Sequence, residues 1–106
     1  MGALHAGHLS LINESEKNCD LSIVSIFVNP AQFSPTEDFT AYPRTIDRDI
    51  EQLKNIGVDV LFLPSEELLY PTSFSTFINE ELVSIGLEGK SRPGFFRGVS
   101  TIVLKL

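Results

Sequence analysis

Two histidines three residues apart, His5 and His8, bracket a glycine in the opening stretch Met1-Gly2-Ala3-Leu4-His5-Ala6-Gly7-His8. The stretch runs straight into a segment with helical spacing, so both rings stand where a helix begins. A helix N-terminus presents unpaired N–H groups and the positive end of a dipole, and it therefore favours phosphate. Gly7 lets a phosphate approach the backbone closely. Each imidazole can donate a hydrogen bond and, when protonated, add charge. In a nucleotidyl transfer, negative charge grows on the α-phosphate and on the departing pyrophosphate, and donors fixed at those places lower the barrier. Two other accounts fit the same residues. A histidine pair can begin a zinc site, but zinc needs further ligands, and Cys19 and the scattered acids show no ligand spacing. The pair is also short enough to be incidental surface chemistry.

A second polar group follows an apolar run, in Ser25-Ile26-Phe27-Val28-Asn29-Pro30-Ala31-Gln32-Phe33. Loops leaving the C-terminal ends of strands bind ligands in open α/β sheets. Gln32 offers a donor pair and an acceptor, which suits a small hydroxy acid or its acyl group; a purely structural role fits it equally. Asn29-Pro30 reads as a turn. A third stretch, Lys90-Ser91-Arg92-Pro93-Gly94-Phe95-Phe96-Arg97-Gly98, gathers three cations without an acid. Its arginines and glycines suggest a mobile loop able to close on a compact anion, although solvated charges serving solubility explain it as well. Phe95 and Phe96 read as packing residues.

The elements needed to position these groups are legible. Leu21 to Val28 is apolar almost throughout and β-branched, the pattern of a strand covered on both faces. Asp59 to Leu63 has the same character and stops at Pro64. Between them, Thr45 to Ile56 places Ile46, Ile50, Leu53 and Ile56 at helical spacing. Thr45 is poised to cap that helix, Asp47 and Asp49 suit its positive end, and Lys54 and Gly57 suit its finish. Strand, helix, strand reads as a parallel crossover. An earlier helix is expected from about Gly7 to Asn18, with Leu9, Leu11 and Ile12 inward and Glu14, Glu16 and Lys17 outward. Ser65 to Leu69 reads as a short helix ended by Pro71, and Phe74 to Ile78 as an edge strand. Val99, Ile102, Val103 and Leu106 follow the spacing of a buried helix face, with a strand reading left open by their β-branched content. Both chain ends look unfinished, which points to a piece of a larger α/β domain.

Composition bounds the rest. The chain has 106 residues, 42% hydrophobic and 21% charged, which is too apolar for wholesale disorder and about one domain in length. One cysteine, Cys19, rules out a disulfide scaffold within these residues. No apolar stretch approaches the roughly 18 residues of a membrane span, and residues 1–10 show no secretory pattern, so a cytoplasmic setting without membrane partners is expected. Eight Lys and Arg against 14 Asp and Glu give a net charge of −6, and the pI near 4.7 argues against a general nucleic-acid binder.

Taken together, MGALHAGH, SIFVNPAQF, Glu37-Asp38-Phe39 followed by Tyr42-Pro43-Arg44, and LEGKSRPGFFRGVSTIV resemble the pantothenate synthetase (pantoate–β-alanine ligase) family. The resemblance runs in order along essentially the whole chain. It implies part of a doubly wound parallel sheet, a Rossmann-like domain of the HxGH nucleotidyltransferase type spanning residues 1–106, without the family's C-terminal domain. It implies ligation of pantoate to β-alanine through a pantoyl adenylate, with ATP as substrate, Mg2+, and usually a homodimer. Met1, Gly2, Ala3, Leu4, His5, Ala6, Gly7 and His8 would bind ATP, with His5 and His8 on the phosphates and His8 as the acid. Gln32 and Met1 would meet pantoate and β-alanine, and Arg92 and Arg97 would shape the pantoate pocket. The family usually has histidine where Phe95 stands. Its first strand and its later lysine-bearing ATP motifs are not among these residues, so the piece is expected to be weakly active or inactive alone. A different HxGH transferase, cytidylyl- or adenylyl-, and a non-enzymatic truncated product are the alternatives.

Overall fold

The computed structural model describes residues 2–34 and 37–106, which divide into two compact units. Residues 1–28 and 43–64 form the first, and residues 29–42 and 65–106 the second. Met1, an expected ATP and substrate contact, lies outside the described residues.

In the first unit, helix α1 (Ala6–Asn18) leads to strand β1 (Ile23–Ser25), and helix α2 (Ile46–Ile56) leads to strand β2 (Val60–Phe62). The strands pair in parallel, with Ile23 opposite Val60 and Ser25 opposite Phe62. This is the α/β arrangement that the alternation of apolar runs and helical periods dictates. Ile12, Ile26 and Leu53 form the buried centre, and Leu4, Leu9, Val24, Ile56, Val58 and Leu61 pack against it. Gly57 ends α2 at φ 103°, a left-handed turn that glycine adopts without Cβ strain.

The expected strand covered on both faces is not what forms. The ladder is three residues long, and strand alternation sends Val24 and Leu61 to the core while Ile23 and Val60 turn away, 64% and 44% exposed. Leu11 and Ile46, expected inward, are likewise exposed, because each lies off the stripe its helix presents to the core. Thr45 stands at the N-cap of α2 but makes no capping bond; its hydroxyl donates to Asp49 Oδ1 at 3.2 Å instead.

The second unit opens with a 3-10 turn, Pro30–Gln32, and contains helices α3 (Glu66–Leu69), α4 (Glu88–Ser91) and α5 (Phe95–Lys105). Ser65 caps α3 by accepting from the Leu68 N–H. Phe33 meets Phe39 and Tyr42 edge-on, at 5.1 and 5.6 Å between ring centroids, and so ties the loop that follows the turn. The expected strand at Phe74 to Ile78 is irregular instead. Its Ile78 N–H goes to the Thr101 hydroxyl at 3.0 Å rather than to a ladder. Arg97 and Lys105 on α5 lie over the Phe77 and Phe74 rings. The buried face of α5 is Gly98, Thr101 and Ile102, whereas Val103 and Leu106, expected inward, are exposed. The cause is Gly98: a Cβ there would overlap the Ala31 carbonyl, so helix and turn touch backbone to backbone. That contact fixes the rotation of α5.

Candidate functional site

The two histidines are brought together. His5 occupies the N-cap of α1, a role usually filled by Ser, Thr, Asp or Asn, and its Nδ1 accepts the Gly7 N–H at 3.1 Å. His8 stands less than one turn further on, and the rings lie 3.9 Å apart, tilted by 30°. His8 Nδ1 is buried and has no hydrogen-bond partner among the described residues. Burial lowers the His8 pKa below the ordinary imidazole value, and the neighbouring His5 lowers it further, while Asp49 opposes both. A neutral ring offers one N–H donor and one bare nitrogen rather than a positive charge. Gly7 also makes room within the pair. A Cβ at Gly7 would sit 3.0 Å from His5 Cε1, so its bareness makes room for the imidazole.

The turn before the helix holds a residue that the sequence reading missed. Asp49, on the first turn of α2 and 0% exposed, accepts the Ala3 and Leu4 N–H groups on its two oxygens, both at 2.8 Å. Gly2 and Ala3 bend the chain there at φ 83° and 51°. The available signal was its place in the helical period, four residues before the buried Leu53.

In the second unit Gln32 is buried rather than displayed on a loop. Asn29, only 2% exposed, donates from Nδ2 to Gln32 Oε1 at 3.2 Å and to the Gly98 carbonyl at 3.1 Å. Its Oδ1 accepts from the Ala31 N–H at 3.2 Å, so Asn29 makes the turn expected of it and also orients Gln32.

The basic stretch forms the end of α4, a turn and the start of α5 rather than an open loop. Arg92 donates to the Gln32 carbonyl at 3.0 Å and pairs with Glu37 at 2.9 Å and with Glu88 at 3.8 Å, beneath the Phe95 ring. The Ser34 N–H and then Arg92 hold the Glu37 carboxyl below the usual carboxylate range. Gln32, Ser34, Glu37, Arg92, Phe95 and Arg97 line a cleft of about 160 Å³. Ligand pockets for drug-sized molecules start near roughly 300 Å³, so this cleft is small by comparison.

Comparison with known proteins identifies the group. The pantoate-beta-alanine ligase family profile matches residues 1–106. The chain belongs to this family. It is 55% identical over 106 residues to the pantothenate synthetase of Pseudothermotoga lettingae, covering 100% of this chain and 38% of that protein. It is 51% identical over 108 residues to the pantoate–beta-alanine ligase of Dictyostelium discoideum, 36% of whose length it covers. Among solved structures, the Thermus thermophilus pantothenate synthetase superposes with a TM-score of 0.95 at 44% identity, over 99% of this chain and 38% of that one. The Francisella tularensis pantoate–beta-alanine ligase, solved with beta-gamma ATP and beta-alanine, gives 0.93 at 50% identity, over 99% of this chain and 41% of that one. The chain thus spans about two fifths of the length of the family members it matches, and it shares their α/β fold. Membership displaces the alternative of a cytidylyl- or adenylyltransferase.

Proposed function

We propose that the chain provides the histidine part of an ATP site and part of a substrate pocket for joining pantoate to β-alanine. The pantoate carboxylate attacks the α-phosphorus of ATP, pyrophosphate leaves, and the β-alanine amine then displaces AMP from the pantoyl adenylate. One observation carries the reading: two stacked imidazoles at the start of α1, with His8 Nδ1 buried and unpartnered. A buried nitrogen without a partner is costly in a folded protein unless a ligand answers it. The residues from Gly2 to His8 are then the ATP-binding stretch.

His8 meets ATP as a neutral ring that donates a hydrogen bond to a phosphate oxygen. The arriving negative charge raises its pKa and favours proton uptake, which turns it into the acid for departing pyrophosphate. His5, held by Gly7, provides the second contact. Gln32 donates its amide N–H groups to the hydroxy acid, and Arg92 and Arg97 shape the small cleft. Met1 completes the set by resemblance.

Mg2+ belongs to the reading as the partner of the ATP phosphates. Among the described residues no three His, Cys, Asp or Glu side chains gather to hold an ion. Mg2+ would therefore arrive with the nucleotide and screen its phosphate charge. No helix of the described residues is long and apolar enough to cross a membrane. A cytoplasmic protein, dimeric as its family usually is, is the setting we infer, without nucleic-acid or membrane partners.

The 106 residues alone are expected to turn over weakly or not at all, because charges that act together on ATP are lost as a unit and the family's lysine-bearing motifs lie outside this stretch. The test is pyrophosphate release from ATP and pantoate. Release by this chain that Gln32→Ala abolishes supports the substrate assignment and overturns the inactivity. Release that Gln32→Ala leaves intact contradicts the role of Gln32.

A further inference from the structure

We propose that Asp49 is a positioning residue for the histidine turn, holding the backbone from Gly2 to Leu4 in the one conformation that sets His5 at the N-cap of α1. The inference deepens the ATP-site reading and rests on it. Asp49 is wholly buried, and its oxygens accept the Ala3 N–H, the Leu4 N–H and the Thr45 hydroxyl at 2.8, 2.8 and 3.2 Å. Consecutive N–H groups converge on one carboxylate only in a tight concave turn. Here that turn requires φ 51° at Ala3, where a Cβ opposes the left-handed region by about 1–2 kcal/mol. Such a residue stays in place only when its surroundings over-determine it. The hydrogen bonds to Asp49 do so from one side. Gly2 does so from the other, since a Cβ there would lie 3.2 Å from Ile26 Cγ2 and 3.6 Å from Asp49 Oδ2.

His5 follows Leu4 without an intervening residue. Its capping bond to Gly7, and through it the stack on His8, inherits the direction the turn gives the chain. A carboxylate beneath an anion site weakens phosphate binding by charge alone. Its presence there makes sense as geometry, because a charged acceptor binds two N–H groups more strongly than a neutral one.

The test uses the 106-residue chain and its two histidines, whose ring nitrogens are read by ¹⁵N NMR, together with titration by MgATP. Asp49→Asn puts an amide donor against one of the two N–H groups. Asp59→Asn is the control, since Asp59 likewise accepts the Ser22 N–H and hydroxyl, at 2.8 and 3.1 Å, in the same unit but at the sheet. Asp49→Asn is expected to replace the single His5 tautomer, bare at Nδ1, with a mixture and to raise the dissociation constant for MgATP at least tenfold. Asp59→Asn is expected to lower the melting temperature with both readouts unchanged. An Asp49→Asn protein that keeps the wild-type His5 tautomer and affinity overturns the proposal. Wild-type protein that does not bind MgATP overturns the ATP-site reading, and the His5 tautomer then decides the role of Asp49 alone. If Asp49→Asn does not fold, Thr45→Val, which removes one of the three bonds that orient the carboxylate, takes its place; a smaller shift of both readouts in the same direction is expected, and no shift in either overturns the proposal.

Discussion

The imidazoles of His5 and His8 lie 3.9 Å apart between ring centroids, tilted by 30°, at the start of α1. Burial of His8, and then its proximity to His5, lower its pKa. The sign of the consequence is fixed. A histidine that titrates lower when folded takes up its proton more readily in the unfolded chain. It therefore stabilises the fold above its ordinary value, and that contribution is lost as pH falls through this value and then through the lowered one. Urea unfolding midpoints should decline as pH falls below the ordinary histidine value of about 6.5, and His8→Gln should flatten the decline. The Glu37, Asp38, Asp59 and Glu80 carboxyls, all held low by hydrogen bonds, lose their contributions only in the more acidic carboxylate range.

Gly98 is predicted to be intolerant of even one methyl group. Its added Cβ would collide with the Ala31 carbonyl, which is backbone and cannot rotate aside. Gly98→Ala should lower stability by about 1–3 kcal/mol, the usual cost of overpacking. The same variant should disturb Gln32, because Asn29 bridges the Gly98 carbonyl and Gln32 Oε1. Chemical denaturation and the Gln32 side-chain amide resonances check the two halves.

Arg92→Lys is expected to behave as a loss rather than a conservative change. The guanidinium reaches the Gln32 carbonyl, Glu37 and Glu88 and stacks on Phe95, and a single ammonium cannot keep that set. The Glu37 carboxyl should return toward its ordinary pKa, measurable by ¹³C titration, without reaching it, since the Ser34 N–H remains.

Much of this molecule was legible in the sequence, for local reasons. The apolar spacing of α2, its finish at Gly57 and the parallel relation of its flanking strands all follow from periodicity and turn chemistry. The histidine pair was legible because three residues on a helix start subtend one face. What stayed hidden depended on contacts between distant segments. Asp49 looked like a helix-dipole acid until its 46-residue reach to Ala3 was seen. The rotation of α5 hinges on the Gly98 to Ala31 approach, which no periodicity encodes, so Val103 and Leu106 were placed inward wrongly. The pairing of the basic stretch was hidden too, because Glu37, which clasps Arg92, lies far away in sequence.

The account turns on phosphate meeting the imidazole pair, and the most direct measurement is MgATP titration of this chain followed by the ring signals of its two histidines. Saturable movement of both signals is predicted, with the His8 pKa rising on binding and the affinity falling at least tenfold in His8→Ala. Movement of neither ring at nucleotide concentrations that saturate full-length family members would contradict it.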